Sequence, residues 1–181
     1  MARNIEIKAR IDSVESLWPL VVKIADEGPI EIIQDDTFFP CPNGRLKLRA
    51  FSDYDGQLIF YQRPDSAGPK QSFYVISPTA SPDALRQSLT LAYGESGRVR
   101  KHRTLFMVGK TRVHLDKVEG LGNFLELEVV LGEGEPNEAG VVIVHALLER
   151  LGISDHQLIE EAYIDLLARL AVEKPEIKQF T

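Results

Sequence analysis

The feature that most constrains this chain is a period-two alternation whose polar half carries charges of both signs. It is plainest at the start, in Asn4-Ile5-Glu6-Ile7-Lys8-Ala9-Arg10. Side chains of a strand point alternately to opposite faces, so Ile5, Ile7 and Ala9 share one face while Asn4, Glu6, Lys8 and Arg10 share the other. The arrangement recurs. Residues 45–51 present Lys47 and Arg49, residues 58–63 end in Tyr61 and Arg63, and residues 99–107 present Lys101 and Arg103. Residues 110–117 present Arg112, His114 and Asp116, and residues 124–131 set Glu126 and Glu128 against Leu125, Leu127 and Val129. Two arrangements satisfy this pattern. Either the charged faces are the wetted side of an antiparallel sheet whose apolar faces pack on helices, or the sheet closes and the charges line its interior.

The closed arrangement has a chemical consequence. Its interior would hold seven cations (Lys8, Lys47, Arg49, Arg63, Lys101, Arg103, Arg112) against four carboxylates (Glu6, Asp116, Glu126, Glu128). A barrel built to carry an apolar molecule would be lined with apolar groups instead. Unpaired buried charge is very costly, so a cationic interior of this kind needs a polyanion and hard cations to become neutral. Carboxylates two residues apart on one strand face suit Mg²⁺, which prefers oxygen and keeps waters that reach substrate phosphates. The residues describe a phosphate-rich ligand held with a divalent metal.

Between the strands, local signals place helices and turns. Asp12-Ser13-Val14-Glu15 has the spacing of a capping box, and Val14, Leu17, Val21 and Ile24 recur at helical intervals. Pro19 either kinks this helix or moves its start to Ser16, and Gly28-Pro29 ends it. A strand is expected over Glu31–Phe39. Pro42-Asn43-Gly44 and Asp55-Gly56 are turns around the strands 45–51 and 58–63, Pro64–Pro69 is a polar loop, and Ser72–Ile76 is a strand. Ser81-Pro82 opens a helix through Leu85, Leu89 and Ala92 that Gly94 ends. Gly97–Met107, Lys110–Lys117 and Phe124–Leu131 form a meander. Pro136 begins a helix through Val141, Val144, Leu148 and Leu151 that Gly152 stops. Ser154-Asp155-His156-Gln157 is a second capping box, expected to open a helix to about Leu170 with Ile159, Ala162, Tyr163, Leu166 and Leu167 on its apolar stripe. The fold class is α+β, with about eight strands and four helices in a single domain over residues 1–171 and a tail over 172–181. Strand, helix and basic alternating strands occur twice, a weak internal duplication.

Composition removes several function classes. A net charge of −6 argues against non-specific nucleic-acid binding. The single cysteine, Cys41, allows no intrachain disulfide and no thiolate-rich metal site, which fits a reducing compartment. No apolar leader region and no run of membrane-spanning length is present, so the expectation is a soluble, cytoplasmic protein. His102, His145 and His156 are scattered without zinc-site spacing. His114 shares its face with Arg112 and Asp116, where it would support a site rather than form one. Gly120-Leu121-Gly122 is a strand connection, and the run Glu133–Glu138 is a solvated turn.

The ordered motifs also resemble a known family. Asn4-Ile5-Glu6-Ile7-Lys8 is similar to the ExExK signature of the CYTH superfamily, the triphosphate tunnel metalloenzymes. The likeness continues through Asp36-Thr37-Phe38-Phe39, Leu46-Lys47-Leu48-Arg49, Tyr61-Gln62-Arg63-Pro64, Val99-Arg100-Lys101-His102-Arg103 and the block from Asp116 to Glu128. The last of these resembles the branch of class IV adenylyl cyclases. The resemblance implies an eight-stranded antiparallel β-barrel, a closed or nearly closed triphosphate tunnel with helices outside, and Mg²⁺- or Mn²⁺-dependent chemistry on a small-molecule triphosphate or nucleotide. Carried over by position, it implies Glu6, Asp116, Glu126 and Glu128 at the metal and Lys8, Lys47, Arg49, Arg63, Lys101, Arg103 and Arg112 on the phosphates. Glu6 and Lys8 would act in catalysis, and Tyr163 would close one mouth of the tunnel. Members are monomers or homodimers.

Three activities stay open at this stage. Hydrolysis of an inorganic or organic triphosphate asks least of the site. Cyclisation of ATP to cAMP and pyrophosphate needs a nucleoside pocket, for which Phe38, Phe39, Tyr61 and Phe124 are candidate stacking groups. Binding without turnover is the third reading, because the first Glu of the signature is Asn4 here, an amide that brings no charge and cannot act as a base.

Overall fold

The alternating strands close on themselves. In a computed structural model that describes residues 3–62 and 68–173, the elements run β1 (Arg3–Ile11), α1 (Val14–Ile24), β2 (Glu27–Phe39), β3 (Arg45–Ser52), β4 (Asp55–Gln62) and β5 (Lys70–Thr79). They continue with α2 (Pro82–Tyr93), β6 (Gly97–Val108), β7 (Thr111–Val118), β8 (Gly122–Leu131) and α3 (Asn137–Arg150). A 3₁₀ turn (Asp155–Gln157), a two-residue strand β9 (Leu158–Ile159) and α4 (Tyr163–Glu173) complete the described chain. The strand order is β5-β4-β3-β2-β6-β7-β8-β1, and β5 pairs back onto β1, so eight antiparallel strands form a closed barrel. The closing seam is short: Arg3–Glu6 of β1 against Phe73–Lys70 of β5. Beyond it, the same edge of β1 is taken by β9, with Lys8 opposite Ile159 and Ala9 opposite Leu158.

The main apolar core lies outside this barrel. Ile5, Ile7 and Ala9 of β1 join Val113 and Leu115 of β7 and Leu125, Leu127 and Val129 of β8 on the outer face. There they bury against Val14, Leu17 and Val21 of α1 and Val144, Leu147 and Leu148 of α3. Burial of this continuous apolar wall is what drives the strand faces to segregate, leaving the charged faces inward. Gly140 lets α3 approach: a Cβ there would stand 2.6 Å from Ile5 Cγ1. A second cluster, with Phe38, Val99, Phe124, Tyr163, Ile164 and Leu166, packs α4 across one end of the barrel. No described helix is long and apolar enough to cross a membrane.

Several element boundaries differ from the sequence reading. Ser13 caps α1, its side chain accepting from Ser16 N at 3.0 Å, and Pro19 lies within the helix without moving its start. Gly28-Pro29 does not end α1. The helix stops at Ile24, and β2 begins at Glu27 because it pairs with β6 from Met107 onward, through an irregularity between Glu27 and Ile30. β4 and β5 begin earlier than expected, and β5 also ends later, for the same reason: they pair with each other over Gly56–Gln62 and Phe73–Thr79, and the start of β5 pairs with β1. The second capping box forms, with Ser154 N donating to Gln157 Oε1 at 3.0 Å, yet it opens only the 3₁₀ turn. Pairing of Leu158 and Ile159 with β1 pulls the chain out of helix, so α4 starts at Tyr163 and Ile159 is a strand residue. α4 then runs through Glu173, two residues into the expected tail, whose residues 174–181 lie outside the described residues, as does Arg63 with residues 64–67 of the expected loop.

Candidate functional site

Strand register composes the interior. On β1 and β8, Glu6 stands opposite Glu128 and Lys8 opposite Glu126. On β7, Arg112 faces Glu128 and His114 faces Glu126. β6 places Arg103 opposite Asp116, and β2 places Asp36 opposite Arg49 of β3. Because directly opposed side chains on one face are neighbours, these pairings turn an alternating sequence into a charge lattice.

The lattice encloses a cavity of about 240 Å³. Lys8, Lys47, Arg49, Lys101, Arg103 and Arg112 line it, and so do Glu6, Glu126 and Glu128. Nine of the residues expected at the site therefore meet in one place. Asp116 stands apart, fully buried and absent from the cavity lining. Its oxygens accept from Arg103 Nε and Nη2 at 2.7 Å each, and Oδ2 also accepts from the Tyr163 hydroxyl at 2.8 Å, with Lys101 Nζ at 3.6 Å. Arg63 lies outside the described residues.

Two residues in this lattice were not singled out by their chemistry in the sequence. Asp36 accepts from Lys47 Nζ at 2.9 Å and from Arg49 Nε and Nη2 at 2.7 Å each. Its signal was the Asp36-Thr37-Phe38 alternation, which puts Asp36 and Phe38 on the inner face. Lys70, buried and opposite Glu6, donates to the Glu160 carbonyl. Gly68-Pro69 beside it reads as loop and hid it.

Asp36, Asp116 and Glu126 are held ionised against their burial. Burial would raise the Asp36 carboxyl, but Arg49 and Lys47 outweigh it and hold the group far below the usual carboxylate range. Asp116 follows the same logic with Arg103 and Lys101. At Glu126, burial is overcome by Arg103, with His114, Lys8 and Lys101 adding to it, and the group lies well below its ordinary value. The cations feel the opposite pressure. Burial, joined by Arg49, lowers Lys47 to about 8 despite Asp36, and burial with Arg103 lowers Lys101. Tyr163 is pushed well up by burial and by Asp116, so its hydroxyl stays a donor.

Beside Glu126 and Glu128 stands a buried nitrogen without a hydrogen-bond partner. His114 is 4% exposed, and its Nδ1 is buried with no hydrogen-bond partner. It lies 3.6 Å from Glu126 Oε1 and 3.9 Å from Glu128 Oε1, and ligand atoms of the three residues fall within 4.8 Å of one another. Two carboxylates and an orphaned imidazole nitrogen fit a divalent cation. The Asn4 amide oxygen, in the same cavity lining, is also buried without a partner.

Comparison with known proteins agrees with this architecture. The CYTH domain matches residues 2–163. Adenylate cyclase CyaB of Aeromonas hydrophila is 24% identical over 168 residues, covering 88% of this chain and 86% of that protein. A Pyrococcus horikoshii protein structure superposes with a TM-score of 0.79 at 23% identity, covering 90% of this chain and 98% of that one. A Hippeastrum protein described as revealing a dominant triphosphatase activity superposes with a TM-score of 0.65 at 14% identity, covering 99% and 100%.

Proposed function

The chain belongs to the CYTH family, and we propose that it is a divalent-metal-dependent phosphohydrolase acting on a small triphosphate inside its tunnel. The observation that carries this reading is the cavity wall. Six cations from β1, β3, β6 and β7 converge on one space, with Glu6, Glu126 and Glu128 together on β1 and β8 and Asp36 on β2. A triphosphate supplies the negative charge that such a wall lacks, and a cation at the carboxylates supplies the rest.

The roles follow from position. Lys47, Arg49, Lys101, Arg103 and Arg112 bind the phosphate chain, the arginines offering forked donors to its oxygens. Glu126 and Glu128, with Glu6 opposite Glu128, would hold Mg²⁺ or Mn²⁺, which when bound polarises the phosphoryl oxygens. Glu6 orients or deprotonates the attacking water, and Lys8 stabilises charge developing on the transferred group. Asp116, with its oxygens taken by Arg103 and Tyr163, sets the direction of those groups rather than meeting the metal.

A cyclase reading has its own observation. Phe38, Ile59, Tyr61, Tyr74 and Ile76 line the same cavity, an apolar stretch beside the phosphate wall on which a base could stack, and the Aeromonas relative is named as an adenylate cyclase. The test is one panel on purified protein: inorganic triphosphate, thiamine triphosphate and ATP, each with Mg²⁺ or Mn²⁺, scored for phosphate release and for cAMP. Phosphate release without cAMP is expected, and the best substrate names the enzyme. Pyrophosphate with cAMP overturns hydrolysis in favour of cyclisation. Binding without either product assigns the chain as a binder, and turnover gained on Asn4→Glu would trace that loss to the amide.

A further inference from the structure

Resting on the triphosphate reading, the geometry points to His114 as a direct nitrogen ligand of the divalent metal, one that biases the site toward a first-row transition ion such as Mn²⁺ and away from Mg²⁺. Three observations converge on it. The imidazole is almost wholly buried on β7, and its Nδ1 is a buried polar atom with no hydrogen-bond partner. An unmade bond of that kind costs free energy unless something fills it. Nδ1 also stands directly beside two carboxylate oxygens, Glu126 Oε1 and Glu128 Oε1, each just beyond hydrogen-bond reach at 3.6 and 3.9 Å. Finally, the register makes the grouping rigid, because His114 and Glu126 are opposed across the β7–β8 pair and both flanking strands are paired along their length.

Cations already flank both carboxylates, and at Glu126 one of them shares the oxygen nearest His114. Arg103 Nη2 lies 3.1 Å from Glu126 Oε1, Lys8 Nζ 3.8 Å from Glu126 Oε2, and Arg112 Nη1 3.4 Å from Glu128 Oε2. A neutral imidazole offers the metal a lone pair, whereas the guanidinium and ammonium groups around it bring positive charge, so it adds a ligand where those neighbours add repulsion. Mg²⁺ favours oxygen ligands and retains its waters, whereas nitrogen donors gain affinity along the first-row series. An all-oxygen site would not discriminate in this way.

The experiment uses Mn²⁺ alone and Mn²⁺ with inorganic triphosphate, on the wild-type chain and on His114→Ala, His114→Asn and Glu126→Gln. Bound Mn²⁺ is counted from loss of the free-ion electron paramagnetic resonance signal, Mg²⁺ affinity is read by competition, and pulsed measurement reports whether a ¹⁴N nucleus is coupled to the metal. Circular dichroism and thermal melting verify that each variant is folded. The expected result is a coupled nitrogen in the wild type that is lost in both His114 variants. Mn²⁺ affinity should fall at least about tenfold, while Mg²⁺ affinity changes by less than about threefold. Bound Mn²⁺ without nitrogen coupling in the wild type, or coupling retained in His114→Ala, overturns the inference and leaves the triphosphate reading standing, provided that Glu126→Gln loses the metal. No Mn²⁺ binding by the wild type, with or without triphosphate, overturns both.

Discussion

Asp36 and Asp116 are built alike and used differently. Each is a buried carboxylate holding a Lys-x-Arg pair from a neighbouring strand, Lys47 and Arg49 of β3 in one case and Lys101 and Arg103 of β6 in the other. Asp36 lines the cavity together with both its cations, which keep 14–15% of their side-chain surface exposed. Asp116 is sealed from the cavity, and a hydroxyl from α4 completes its coordination. The repeated unit of the sequence therefore yields a cradle where its cavity side is open and a pin where a helix covers it. The carboxylates are about equally buried, and what differs is their cations, which keep 14–15% of their side-chain surface exposed at Asp36 but 5% at Asp116.

Removing the pin should have the largest effect. Asp116→Asn leaves Arg103, Lys101 and the Tyr163 hydroxyl facing a neutral amide in a dry region, a loss of about 3–5 kcal/mol in unfolding free energy. Urea denaturation measures it. Asp36→Asn moves stability the same way, but added inorganic triphosphate should recover most of that loss, since ligand oxygens can take over Lys47 and Arg49. Recovery of equal size in both variants would erase the distinction between cradle and pin.

Next comes the carboxylate pair that belongs to neither aspartate. Glu126→Gln removes a charge from the donor cluster and should cut metal-dependent phosphate release by about 10²–10³-fold. It should cost less stability than Asp116→Asn, because Glu126 has one close guanidinium contact where Asp116 has a full fork. A turnover near that of the wild type would remove Glu126 from the site.

A smaller effect tests the seal itself. Tyr163→Phe deletes the 2.8 Å hydrogen bond to Asp116. The ring stays beneath Lys8 and Lys101, whose Nζ atoms lie 4.1 and 5.0 Å from its centroid. Hydrogen bonds to charged groups contribute about 1.5–3 kcal/mol, so the loss should fall there and below that of Asp116→Asn. A variant as unstable as Asp116→Asn would mean that the hydroxyl, and not the Arg103 fork, holds the pin.

How much of this was legible in the sequence follows from the range of each signal. The charged inner faces are a period-two pattern within single strands, and most described residues read from that pattern, Lys47 and Arg49 as much as Glu126 and Glu128, reach the cavity wall, while Arg10, His114 and Asp116 do not. Barrel closure as such rests on four residues of β1 meeting β5, a pairing between Glu6 and Lys70 that no local window contains. The capping box at Ser154 was a true local signal overridden by a non-local one, the pairing of Ile159 with Lys8. Asp36 and His114 were visible as residue types, but their roles depend on which side chains stand across the neighbouring strand. Local chemistry was readable; cross-strand register was not.

The last test separates the cradle from the pin by pH. Lys47 is lowered to about 8 by burial and Arg49, against an ordinary lysine value of 10.5 in the unfolded chain. Below pH 8 both states carry the proton, and the cost of burying the charge is present in full. Between about pH 8 and 10.5 the unfolded chain binds more protons than the folded one, so this group's contribution to stability improves as pH rises. Triphosphate affinity moves the other way. The ligand needs the ammonium form, so affinity should be level below pH 8 and fall by about tenfold per unit above it. Lys47→Arg keeps its charge throughout. The ratio of wild-type to variant affinity, measured calorimetrically from pH 6 to 10 with inorganic triphosphate, cancels the ligand's own titration and should bend downward near pH 8. A flat ratio would mean that Asp36 keeps Lys47 charged across the whole range, so that pH would not tell this cradle from the pin at Asp116.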